Sequence, residues 1–195
     1  MRGCSAICTT SMSRPYEPGS TVTPERGGQP GALTLSEDDR RVLAVWAADC
    51  AERTLPLFEA RAPGDTRPRD AIEGARAFAR GELRIGPVRT LAVAAHAAAR
   101  EVGEPAATAA ARAAGHAAAV GHMASHARGV AYAAIAAGLA APDDPDAVVN
   151  EARWQQGHLT PEASAILAEL PSPARSGGTL SALQQDLHAY VLRRG

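Results

Sequence analysis

Four histidines, His96, His116, His122 and His126, fall in a stretch dominated by alanine. Imidazole is the side chain that serves both proton transfer and metal ligation near neutral pH. His122 and His126 are spaced i, i+4, which on an α-helix places both rings on one face and within joint reach of a metal ion. Met123 stands where a HExxH motif would carry its glutamate, so the zinc-protease arrangement is absent. A third ligand has to come from another element, with His96, Asp49 and Glu73 as the candidates. Against the metal stands a plainer reading: imidazoles lining a groove and hydrogen-bonded to neighbouring helices, with no cofactor. An i, i+4 pair by itself does not displace it.

A second set of polar residues sits among apolar ones. Asp49 lies between Trp46 and Cys50, close to the apolar stripe of its helix, and Arg53 is one turn further on. Either the two form a local ion pair worth a few tenths of a kcal/mol, or Asp49 meets an arginine or histidine from another helix in a buried pair that fixes the packing. Arg67, Arg69, Asp70, Glu73, Arg76 and Arg80 form the charged side of the next helical segment, as a solvated face or as a mixed-charge surface for a protein partner. Cys50 on an apolar stripe reads as core, and no GxSxG, P-loop or GxGxxG is present. No catalytic residue is assigned on this basis. The alternative to a binding protein is a metal-dependent or acid–base enzyme uniting Asp49, Glu73 and the four histidines inside the bundle.

The elements that must hold these groups are helical. Ser36 followed by Glu37, Asp38 and Asp39 is an N-cap with an acidic first turn, after which Val42, Val45, Trp46 and Cys50, with Leu43 and Ala47, recur at helical spacing. Pro56 interrupts, Leu55, Leu57 and Phe58 continue briefly, and Pro63-Gly64-Asp65 is a turn. Pro68 opens a helix over 69–80, with Ile72, Ala75, Phe78 and Ala79 facing inward. Pro87 opens another to Val102, stopped by Gly103, and Pro105 a fourth. Helical pattern then runs to Leu139, broken near Gly121 or continuing as one long helix. Further helices are expected over 146–156, from the Thr160-Pro161 cap to Leu170, and over 180–192. No strand signal appears. The expected fold is all-α: a compact bundle of alanine-rich helices over 34–141, a helical extension over 142–195, and a disordered arm over 1–33, rich in Ser, Thr, Pro and Gly.

Composition narrows the function classes. The chain has 195 residues, 46% of them apolar and only 4% aromatic, which suits one core of closely packed small side chains. All 20 basic residues are arginine, a bias that fits a GC-rich bacterial genome, and the net charge is −1. Neither a basic stripe for nucleic acid nor a span for a membrane is evident. Cys4, Cys8 and Cys50 make no disulfide framework. The first residues lack the apolar region of a secretory signal, so the cytoplasm is the expected location.

Four blocks carry a family resemblance. They are Trp46-Ala47-Ala48-Asp49-Cys50-Ala51-Glu52-Arg53 with Leu55-Pro56-Leu57-Phe58-Glu59; Arg67-Pro68-Arg69 leading to Ala75-Arg76-Ala77-Phe78-Ala79-Arg80-Gly81; Ala95-His96-Ala97-Ala98-Ala99-Arg100; and Ala113-Ala114-Gly115-His116 with His122, His126 and Ala131-Tyr132-Ala133. In this order, over about 35–140, they resemble the immunity-5-like family of immunity proteins associated with bacterial polymorphic toxin systems. The resemblance implies an all-helical protein that protects its producer by neutralising a cognate toxin. It brings no catalytic residues with it. The surfaces to test for a partner, chosen from the residues themselves, are the polar side of the 69–80 helix and the His96, Arg100 and His116 groups.

Overall fold

Ser36 starts the first helix with a reciprocal cap: its hydroxyl accepts from the Asp39 amide at 3.0 Å, and the Asp39 carboxylate accepts from the Ser36 amide at 3.0 Å. Glu37, Asp38 and Asp39 place negative charge against the positive end of the helix dipole. A computed structural model describes residues 35–170. These form α1 (Glu37–Glu52), α2 (Leu55–Glu59), α3 (Arg67–Ala79), α4 (Ile85–Glu101), α5 (Pro105–Ala119), a 3-10 segment (Ala124–Val130), α6 (Ala131–Ala140), α7 (Ala147–Gly157) and α8 (Pro161–Glu169). The fold is all-α, with no strand among the described residues. None of the described helices is long and apolar enough to cross a membrane. The arm expected over 1–33, Cys4 and Cys8, and the helix expected over 180–192 lie outside the described residues.

Two glycines end helices as backbone chemistry requires. Gly81 and Gly103 have φ of +77° and +72°, a region that costs other residues energy. At Gly81 the Glu82 amide donates to the Ala77 carbonyl (2.9 Å) and the Gly81 amide to the Phe78 carbonyl (2.9 Å), which satisfies carbonyls the helix end would otherwise orphan.

α5 is the central helix. It packs against α1, α2, α3, α4, α6 and the 3-10 segment, and ten of its fifteen residues are buried alanines. Alanine costs no side-chain entropy in a helix, and its short side chain lets neighbours approach on all sides. Two apolar clusters divide it, one taking in Ala113–Ala119 of its C-terminal half and the other Ala107–Ala111 of its N-terminal half. One gathers Leu43, Trp46, Ile72, Phe78 and Val88, and the other places Phe58 among Ala98, Ala107, Ala110, Ala134 and Ala152. Trp46, Phe58 and Phe78 therefore anchor two clusters, not a single one. Full burial of each phenylalanine contributes about 1.5–3 kcal/mol. Of the α1 positions expected at helical spacing, Val45 is 47% exposed, whereas Leu43, Trp46, Ala47 and Cys50 are buried, together with Ala44 and Ala48.

The chain does break after α5. A Cβ on Gly121 would lie 2.7 Å from Val88 Cγ1, so the backbone itself packs there. Arg40 of α1 then holds the turn by donating from Nε to the Gly121 carbonyl (3.1 Å) and from Nη1 to the Leu35 carbonyl (2.7 Å). α7 and α8 return to the bundle. Trp46 Nε1 donates to the Gln155 carbonyl (3.0 Å), and the Gln155 amide donates to the Val130 carbonyl (3.1 Å). α8 lays Ile166 and Leu167 against the α1 cluster.

Candidate functional site

α4, α5 and the segment after the Gly121 turn bring the four histidines into a continuous row. The His96 and His116 rings are 4.9 Å apart, edge to face; His116 and His126 are 5.2 Å apart; His126 and His122 are 5.1 Å apart. Tyr132 of α6 stacks on His116 at 5.3 Å with the planes 10° from parallel. Glycines make the room. A Cβ on Gly115 would lie 2.7 Å from the His96 ring, and one on Gly129 would lie 2.2 Å from His116 Cγ. Two glycines that weaken helices by up to about 1 kcal/mol relative to alanine are thus the floors of two imidazole niches.

The shared helix face expected for His122 and His126 does not exist. His122 sits in the turn and His126 in the 3-10 segment, because the α-helix stops where Gly121 meets Val88. The rings are neighbours for a tertiary reason. The third metal ligands considered from sequence are also unavailable to them: His96 lies against His116, while Asp49 and Glu73 are engaged by Arg76. Among the described residues, no three His, Cys, Asp or Glu side chains are grouped to hold a metal ion.

Burial dominates the electrostatics of the row. It pushes His116 down to about 3 and His126 down to about 4, with neighbouring imidazoles adding to the effect in both. His96 is lowered by burial and then by Arg112 and Arg100; His122 is lowered by burial and then by Arg89 and Arg40. No carboxylate acts on any of the four. The histidines are therefore neutral at physiological pH, without the acidic partner that would raise one into the range of a general acid, and His122 Nδ1 is buried with no hydrogen-bond partner among the described residues.

The other charged residues form a separate arrangement between α1, α2, α3 and α4. Arg76 binds Asp49 (2.9 Å), Glu52 (2.5 Å) and Glu73 (3.2 Å), so Asp49 pairs with a different helix and not with Arg53. Its side chain is 46% exposed, and the pair is not the buried one considered from sequence. Arg53 instead reaches Glu151 of α7 at 2.9 Å and covers the Trp154 ring at 4.0 Å. Arg69 bonds Glu59, Arg67 bonds Asp65 and Glu101 at 2.6 Å each, and Arg80 bonds Glu82 at 2.7 Å. Hydrogen bonds from these arginines hold Glu52, Asp65, Glu82 and Glu101 below the usual carboxylate range. Cys50 is core, its thiol pushed up by burial. Asp49 and Glu73 belong to this ion-pair face and have no contact with the histidine row, so the enzyme site that would join them is not assembled.

Three participants carried no sequence signal as site residues: Arg112, Tyr132 and Gln155. Arg112 donates to the Tyr132 hydroxyl (3.3 Å), and its guanidinium lies 5.6 Å from the ring centre. Both occur in plain alanine contexts, and only the α5–α6 packing unites them.

Charge divides sharply along the chain. Residues 83–100 and 105–142 contain no aspartate or glutamate, yet they contain Arg84, Arg89, Arg100, Arg112 and Arg128 and all four row histidines. Arg89, Arg100 and Arg112 are in no ion pair among the described residues. Exposed apolar side chains accompany them, with Val93 at 60%, Met123 at 53% and Leu139 at 48%. The carboxylates of the α4–α6 part of the molecule are Glu101 and Glu104 at the α4–α5 junction, engaged by Arg67 and by the first amides of α5; the rest of it is arginine-bearing and partly apolar.

A scan against family models matches residues 33–162 to the family described as Imm-5 like putative immunity protein. The match continues through α7 to the start of α8, beyond the 35–140 span of the resemblance seen in the sequence. No curated protein and no solved structure matches the chain. Covering two thirds of the sequence, and all the elements that build the histidine row, the family match shows that this chain belongs to the Imm-5 like immunity protein family.

Proposed function

We propose that this protein confers immunity in the cytoplasm by binding a cognate toxin domain of a bacterial polymorphic toxin system, and that it acts by occlusion without catalysis. The observation that carries this reading is the surface of α4–α6, where Arg89, Arg100 and Arg112 have no ion pair among the described residues, exposed apolar side chains accompany them, and carboxylates are confined to Glu101 and Glu104 at the α4–α5 junction. Interfaces draw their energy from a few arginine and aromatic or apolar anchors in a desolvated centre, and one sign of charge on the surface speeds encounter with an oppositely charged partner. The polar side of α3 supports this role less well. Arg67, Arg69, Arg76 and Arg80 already hold carboxylates, and a partner binding there would have to displace those pairs.

The experiment is to sequence the genes flanking this one and to co-express the protein with a toxin domain encoded there; a neighbourhood without one would count against the reading. Growth should be restored, and the two proteins should elute as a stable stoichiometric complex. Combined Arg89→Glu and Arg100→Glu substitution should abolish both protection and complex, whereas Arg76→Gln should leave both intact. Protection by trace amounts of the protein, with no complex formed, would overturn the occlusion reading in favour of an enzyme.

A further inference from the structure

Between α5 and α6 lies a groove of about 290 Å³, lined by Pro105, Ala109, Arg112, Tyr132, Ile135 and Leu139. Its size falls at the lower edge of the roughly 300–1,000 Å³ typical of small-molecule sites, which suits one inserted side chain better than a cofactor. The lining, completed by Gly103 and Thr108, is mostly apolar, and its charge comes from one residue. That residue, Arg112, is held against Tyr132, by its bond to the hydroxyl and by the guanidinium over the ring, and it has no carboxylate among the described residues.

Resting on the immunity reading above, we propose that this groove is the anchor pocket for the toxin. It takes one large apolar side chain from an acidic amphipathic helix, and a carboxylate from the same helix pairs with Arg112. Three features select this occupant. The charge free to act at the groove is that of Arg112, since the neighbouring Glu104 carboxylate is engaged by the Ala106 and Ala107 amides of its own helix, and this favours acidic partners. Leu139, half exposed on the rim, extends apolar contact beyond the pocket and gives a side chain on a helix face something to cover. Arg112 is half-buried and pre-oriented by Tyr132, so it loses little freedom on gaining a bidentate carboxylate. A nucleic acid would share the charge preference. Tyr132, however, is already stacked by His116 and approached by Arg112, so it offers no free platform for a base, and an apolar groove contributes nothing to phosphate binding.

The test uses the full chain, labelled with ¹⁵N, and a short synthetic helical peptide with leucines along one face and glutamates along the other. Amide shifts on titration should centre on Ala109, Arg112, Ile135 and Leu139. Leu139→Asp, a rim change that the fold tolerates, should weaken the peptide about tenfold or more, as should Arg112→Gln. The same peptide with alanine for leucine, or lysine for glutamate, should bind about tenfold more weakly or worse. Absence of binding, binding unchanged by Leu139→Asp, equal affinity for polyglutamate, or tighter binding of a DNA duplex would each overturn the proposal. So would a concentration-dependent dimer of the free protein that Leu139→Asp dissociates, since the occupant is then a second copy. None of these readouts involves toxin protection. A toxin complex that survives Leu139→Asp overturns the pocket while leaving the immunity reading standing.

Discussion

The Nδ1 atoms of His116 and His126 face each other at 3.1 Å. Two ring nitrogens at that distance form a hydrogen bond only when one carries a proton and the other does not, and because burial keeps both rings neutral, the two are opposite tautomers. Protonating the second nitrogen would replace the bond with two facing N–H groups inside a buried site.

Acid should therefore unfold the protein earlier than carboxylate chemistry alone predicts. His116 and His126 accept a further proton only near pH 3 and pH 4 in the folded state, whereas an unfolded histidine does so at about 6.5. Between these limits the unfolded chain binds more protons. Stability is full above about pH 6.5 and falls as pH drops toward 4, by up to about 1.4 kcal/mol per pH unit for a histidine as buried as His116. Urea unfolding at pH 7, 6 and 5 checks this, and a flat midpoint over that range would contradict it. His116→Gln should flatten the dependence.

The glycine floors give a second prediction. Gly129→Ala puts a methyl group into His116, and Gly115→Ala puts one into His96. Each should destabilise by about 1–3 kcal/mol from overpacking, although alanine is the better helix former. Removing the ring should reverse the sign: Gly115→Ala made in a His96→Ala background should be neutral or stabilising. Thermal melts of the single and double variants decide it, and equal effects in both backgrounds would rule out the niche.

Arg53 and Glu151 should respond asymmetrically. Glu151 is 6% exposed and Arg53 is 40% exposed, so removing the arginine strands a buried carboxylate, while neutralising the glutamate does not. Arg53→Ala should cost about 1–3 kcal/mol, and Glu151→Gln less than half of that. The same two variants should uncover Trp154 differently, since only Arg53→Ala removes the cation from its ring, and indole fluorescence will report this. Equal destabilisation would mean that packing, not charge, holds α7.

Arg76 joins α3 to α1 through Asp49 and Glu52 and pairs with Glu73 on its own helix, and the three carboxylates are each about half exposed. Solvent screens such pairs, so Arg76→Gln should cost only about 1 kcal/mol at low salt, and the cost should shrink as salt is added. A loss that salt does not change would point to the packing of the arginine stem.

Much of the architecture was legible because it is local. Ser36 with its acidic turn, Pro68, Gly81, Gly103 and the Thr160-Pro161 cap set helix ends through backbone chemistry that a few neighbouring residues determine. The family resemblance was carried by contiguous blocks such as Trp46–Arg53. The site was less legible. His122 and His126 suggested a chelating pair on one face, yet Gly121 packing on Val88 breaks that helix and the rings meet by another route. Asp49 suggested either Arg53 or a distant partner, and the distant partner, Arg76, came from the neighbouring helix at half-exposed positions.

From the sequence alone came the helices, their alanine-lined faces and the stretches free of acid, because propensity, capping and composition act within a turn or two of the chain. The tertiary structure decided which histidines touch, that two glycines exist to admit their rings, and that Arg112 meets Tyr132 beside an apolar groove. Those relationships depend on how closely α4, α5 and α6 approach, and alanine, which permits close approach everywhere, does not say where it happens.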